Sequence, residues 1–130
     1  MDKQERDDLS TTPIPAGGAT PTLPLTPETR QAYIDLYAKN EIAIEGTIDG
    51  TILQSLNDAQ LSVGAVLSAD NEYRLNQDTA LFNALLKKIK IASASLSKLQ
   101  SDISGVASKI AVLGDVAAGI NKVLTLVSAI

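Results

Sequence analysis

The sequence predicts an all-α fold, built as a long antiparallel helical hairpin with coiled-coil-like packing. Three observations lead there. Apolar residues recur at steps of three and four over most of residues 27–130, the spacing of one helical face. No segment alternates apolar and polar residues in the way a half-buried strand does. Aromatic residues are 3% of the chain, with no tryptophan and a single phenylalanine at Phe82, so Leu, Ile, Val and Ala must fill the core, which suits helices that approach closely. A three-helix bundle is the alternative, reached if the second helix breaks near Gly105 or Gly114.

Residues 1–26 read as a disordered arm. A charged start, MDKQERDD, runs into STTPIPAGGATPTLPLT, where four of the five prolines and the Gly17-Gly18 pair interrupt regular structure. The start also lacks the basic residues and apolar run of a secretory signal, which points to a cytoplasmic protein or to export by another route.

Thr26-Pro27-Glu28 has the composition of a helix start: a hydroxyl to cap free amides, a proline at the first helical position and an acid to complement the dipole. Helix A is expected over about 27–67, with Ile34, Tyr37, Ile44, Ile48, Ile52, Leu56, Ala59, Val63 and Val66 on one face. Glu41 interrupts that face, and Gly46 and Gly50 around Asp49 mark a place for a kink. Ser68-Ala69-Asp70-Asn71-Glu72 is the polar cluster between two apolar stripes, so the turn is expected over 68–72. Helix B follows over about 73–128, with a break near 105–114 as the variant.

Helix B carries the most regular pattern. With Leu75 as position a, the a and d positions run Leu75, Asp78, Phe82, Leu85, Ile89, Ala92, Leu96, Leu99, Ile103, Val106, Ile110, Leu113, Ala117, Ile120, Leu124 and Val127, and Asp78 alone is polar. Such a run argues for coiled-coil-like packing. From Leu96 to Val127 it defines the expected core or interface stripe.

Charge divides the helical region. Residues 27–72 hold two basic and eight acidic side chains, and residues 73–130 hold seven basic and three acidic. A turn at Asp70 and Asn71 sets Lys98 level with Glu41 and Glu45, and Lys87 and Lys90 level with Asp49 and its neighbours, so these six residues are the expected interhelix charge pairs. In that register helix B overhangs helix A by roughly 17 residues, about 25 Å of apolar helix. It must fold back, meet copies of itself or enter lipid.

Composition narrows the chemistry. The chain has no cysteine and no histidine, which removes thiolate metal sites, disulfides and the usual proton shuttle at neutral pH. A net charge of −4 and few aromatics argue against nucleic-acid binding. Glu41 and Glu45 lie four apart, but a diiron pattern needs a second carboxylate set with histidines. Asp49-Gly50 and Gly114-Asp115 fit no calcium loop, and no phosphate loop or nucleophile elbow occurs. The expectation is a non-catalytic structural or interaction protein with no cofactor, metal or small-molecule substrate. It self-assembles as a homo-oligomer or docks on partner helices through the C-terminal stripe; the alternative is a membrane-active, pore-forming or lipid-inserting protein that uses residues 106–130.

Overall fold

A computed structural model describes residues 25–107 and 109–128. Among these residues there are four helices and no strand: α1 Pro27–Gly46, α2 Gly50–Asn76, α3 Thr79–Ile103 and α4 Ala111–Val127. The arm expected over 1–26 lies outside the described residues except for Leu25, which is fully buried, and Thr26, which caps α1.

The helix boundaries have local causes. Thr26 Oγ1 accepts the Thr29 amide at 3.1 Å, and Pro27 opens α1. Gly46 ends α1, Thr47 is extended, and the Asp49 carboxylate accepts the Ile52 amide at 3.0 Å to start α2. The kink foreseen near Gly46 and Gly50 is thus a full break, and helix A is two helices. At the far end of α2, Gln77 adopts the left-handed conformation (φ 49°, ψ 41°) and its amide donates to the Tyr73 carbonyl at 2.7 Å. Asp78 Oδ1 then accepts the Ala80 amide at 2.6 Å and opens α3.

The turn expected over 68–72 is therefore corrected to Gln77 and Asp78; residues 68–72 are helical. Their polar side chains misled because Asp70 serves an ion cluster described below. Helix B is likewise two helices, parted by residues 104–110, which include Gly105. Within α4, a β-carbon on Gly114 would lie 3.0 Å from the Ala107 carbonyl oxygen, a tight approach that a bare α-carbon avoids.

The four helices pack in a ring in which α1 meets α2, α2 meets α3, α3 meets α4 and α4 returns to α1, with no close backbone approach across either diagonal among the described residues. Neighbours run antiparallel. Arg30 near the start of α1 bonds Asp70 near the end of α2; Ser62 of α2 bonds Ser95 of α3 at 2.9 Å; Gln100 late in α3 bonds Asn121 in α4 at 3.2 Å. The expected overhang does not arise, because the break after Ile103 turns α4 back to lie along α1.

Candidate interaction surface

The stripe expected as core or interface lies largely in the chain's own core. Leu96, Leu99 and Ile103 of α3 are fully buried, in step with Leu85, Ile89 and Ala92. Leu113 and Ile120 of α4 are buried too, whereas Val106, Ala117, Leu124 and Val127 are half-buried and Ile110 is 45% exposed at the cap of α4. The heptad count fails to cross the break. On α4 the buried set is Leu113, Val116, Ile120 and Val123, so Val116 and Val123 replace Ala117 and Leu124 on the inner face. Restarting the count after Gly105 would have found them.

The expected charge pairs do not form. With the turn moved to Gln77 and Asp78, Ser55 rather than Glu45 lies level with Lys98. Glu41 and Glu45 are exposed, and Asp49 is spent as a helix cap. Lys87 and Lys90, both exposed, line a groove of about 440 Å³ with Leu86, Ile89 and Val127. Among the described residues the ion pairs are Arg30 with Asp70, Arg74 with Asp70, and Lys98 with Asp102.

Two polar clusters fasten α2, and the sequence reading named neither. At one end, Lys98 Nζ donates to Asp102 Oδ2 at 2.9 Å and to Ser55 Oγ at 3.3 Å, and the Ser55 hydroxyl donates to Asp102. The residue types are those of a serine nucleophile beside a lysine base. The proton wiring is different: a base must be neutral and accept from the serine, whereas this lysine is 65% exposed, ion-paired and donating. The hydrogen bond from Ser55, together with Lys98, holds the Asp102 carboxyl below the ordinary carboxylate range. The cluster works as a clasp between α2 and α3. At the other end, the fully buried Asp70 accepts from Arg30 Nη1 at 2.5 Å and Arg74 Nε at 2.7 Å, while Arg74 Nη2 also donates to the Leu25 carbonyl at 2.8 Å. Arg74, four residues after Asp70, was the signal available in sequence.

The least expected feature is the orientation of α1. Its inward face is Thr29, Ala32, Tyr33, Leu36, Asn40 and Ala43. Asn40 is fully buried, and its Nδ2 and Oδ1 both lack a hydrogen-bond partner among the described residues; so does the buried Tyr33 hydroxyl. Burial pushes that hydroxyl above the ordinary phenol range. Meanwhile Ile34 (39% exposed), Tyr37 (36%), Ile42 (61%) and Ile48 (99%) face outward. Ile34, Tyr37 and Ile48 belong to the face the sequence had placed inside. The inversion follows from the break at 47–49, which lets α1 turn a different side to the core from the one in phase with α2.

Tyr37 also marks how α1 sits on α2: a β-carbon on Gly64 would lie 3.6 Å from Tyr37 Cε2, and Gln60 Nε2 donates to the Tyr37 carbonyl at 3.1 Å. On its other side α1 meets α4, where a β-carbon on Gly119 would lie 3.0 Å from Leu36 Cδ1. Among the described residues no three acidic side chains gather closely enough to hold a metal ion, and no helix is long and apolar enough to cross a membrane. Compared with known proteins, the chain matches no family model, no curated protein and no solved structure.

Proposed function

We propose that this chain is a non-catalytic structural protein that assembles with copies of itself through its helices. The observation that carries this reading is the inverted α1. A helix that stands alone gains by burying Ile34 and Ile42 and by wetting Asn40; this one exposes both isoleucines, as the connection after it exposes Ile48, and buries Asn40. Single exposed apolar residues are ordinary on soluble proteins, but here exposure on one side and polar atoms without a partner among the described residues on the other occur in the same helix. The surface offered to a partner is then the outer side of α1 and the 47–49 connection, since the C-terminal stripe is occupied within the chain.

A lipid-inserting role draws on the apolar composition of α4. That helix has 17 residues, about 25 Å, against the roughly 30 Å of a bilayer's hydrocarbon core, so insertion along a membrane surface is the form this alternative takes. Molar mass by light scattering over a concentration series, with and without anionic vesicles, tests both. Assembly predicts a defined oligomer without vesicles, weakened at least tenfold in Ile48→Asp with helicity unchanged. A monomer at every concentration that sediments with vesicles would replace assembly by the lipid reading.

A further inference from the structure

We propose that the assembled form is an exchanged dimer, in which the connection Thr47–Asp49 straightens, residues 27–76 become one continuous helix, and α1 of each chain packs on α4 of a second copy. This inference rests on the assembly reading above and specifies its geometry.

Four observations converge on it. Across the connection Ile44, Ile48, Ile52 and Leu56 follow at helical steps of four, with Glu41 and Glu45 on the same side; in one continuous helix these four apolar residues form one stripe on the face that α2 already buries. Ile48 is 99% exposed at the centre of that stripe. In the closed chain no described residue covers it, whereas two straightened helices crossing at their midpoints would cover Ile44 and Ile48 of each other. Short connections between packed elements favour exchange, because the same contacts re-form between chains and only the hinge region is new.

The attachment of α1 supplies the second half of the argument. Asn40 and Tyr33 lie in its seat with polar atoms unpartnered among the described residues, so the closed packing is weakened at the place where release begins. The partner is a second copy because exchange re-forms the closed chain's own contacts, and it keeps that chain's charge match. The stretch that carries α1 and α2 is acidic, with two basic and eight acidic side chains over 27–72, and the stretch it would meet is basic, with seven basic and three acidic over 73–130.

The chain contains no cysteine, so an engineered pair reports the exchange directly. A β-carbon on Gly119 lies 3.8 Å from Leu36 Cβ, the usual separation across a disulfide. The double variant Leu36→Cys with Gly119→Cys is oxidised at low and at high protein concentration, and resolved without reductant. Exchange predicts a cross-link within one chain at low concentration and covalent two-chain species at high concentration. The low-concentration product, once locked, should fail to dimerise after concentration and regain dimerisation when reduced. Light scattering that finds a dimer while oxidation yields only within-chain links overturns the exchange and leaves assembly standing. A monomer at all concentrations removes both.

Two further variants guard against a misfolded cysteine pair. Ser62→Cys with Ser95→Cys ties α2 to α3, whose hydroxyls are 2.9 Å apart; exchange leaves that pair within one chain at every concentration, and a concentration-dependent two-chain product from it overturns the assignment. Ile48→Pro suits the closed connection, where Thr47 is already extended at ψ 130°, but breaks a continuous helix. Exchange predicts at least a tenfold weaker dimer with monomer helicity unchanged, and an unaltered dimer overturns it.

Discussion

Asp70 and Arg74 meet one helical turn apart, Oδ2 to Nε at 2.7 Å, with the carboxylate wholly buried and the guanidinium one-third exposed. Arg30 reaches the same oxygen from α1, so a buried negative charge at the end of α2 holds two helices and, through Arg74, the Leu25 carbonyl. A buried carboxylate left without its cations is costly, of the order of 3–5 kcal/mol. With Arg30 still in place, Arg74→Ala should destabilise by about 2–3 kcal/mol. The double variant with Arg30→Ala should exceed the sum of the two single losses, because each arginine partly covers for the other. Urea unfolding of the four chains measures this; additive losses within error would mean that the two arginines act independently.

Much of α3 was legible before any coordinates. Leu85, Ile89, Ala92, Leu96, Leu99 and Ile103 are all buried, and nothing polar or flexible interrupts that run, so local periodicity and tertiary packing agree. In α1 the two disagree. Its inner face mixes Thr29 and Asn40 with Ala32, Tyr33, Leu36 and Ala43, while three isoleucine and tyrosine positions, Ile34, Tyr37 and Ile42, lie outside, and a reading by hydrophobic spacing selects the wrong side. The turn was displaced for a related reason: the polarity of Asp70 is satisfied by Arg30, forty residues away, a relation that local composition does not encode. Gln77 is a poor advertisement for a turn, since the left-handed conformation it adopts is usually given to glycine or asparagine.

That mismatch is testable. Gln77 is the non-glycine residue with positive φ among the described residues, and such a conformation costs a side-chain-bearing residue about 1–2 kcal/mol. Gln77→Gly should therefore stabilise by about 1 kcal/mol, the relief being partly offset by glycine's greater freedom in the unfolded chain. Asp78→Ala removes the side chain that caps α3 and should cost about 1 kcal/mol. Thermal unfolding of both reads the opposite signs, and a loss of stability in Gln77→Gly would contradict the strain.

The α3–α4 connection makes a contrast between two glycines. Gly114 faces the Ala107 carbonyl at a distance that a β-carbon can hardly share, whereas no described residue lies within 4 Å of a β-carbon on Gly105. Gly114→Ala should destabilise by about 1–3 kcal/mol through displacement of backbone. Gly105→Ala should be neutral or stabilising by about 0.5 kcal/mol, since alanine has less unfolded-state entropy to lose. Equal losses in the two variants would show that the close approach at Gly114 is readily relaxed.

Asp102 links stability to acid. The Ser55 hydrogen bond and Lys98 lower its folded pKa below the unfolded value, which is about 3.9 for a free aspartate. Its contribution is therefore complete above that unfolded value and disappears as the pH falls through the folded one. Asp102→Asn should lower the urea midpoint at neutral pH, and the gap between variant and native chain should close as the pH is taken below about 4. A gap that stays constant across that range would mean that the clasp owes nothing to the charge.

Tyr33 sets the alkaline limit with the opposite sign. Burial raises its folded pKa above the unfolded value of about 10, so the folded chain keeps a proton that the unfolded chain gives up. Stability supplied by the neutral phenol is full below about pH 10 and is lost as the pH rises past it. Tyr33→Phe removes that linkage together with a hydroxyl that has no partner among the described residues, so it should be neutral to stabilising by about 1 kcal/mol near pH 7. It should also shift alkaline unfolding to higher pH. Phenolate absorbance recorded alongside helical circular dichroism separates this from a general alkaline effect: in the native chain the Tyr33 signal should appear together with the loss of helix, and it should be missing in the variant. Full ionisation of all three tyrosines before any helix is lost would mean that the hydroxyl reaches water in the folded chain and that the seat of α1 is more open than its packing indicates.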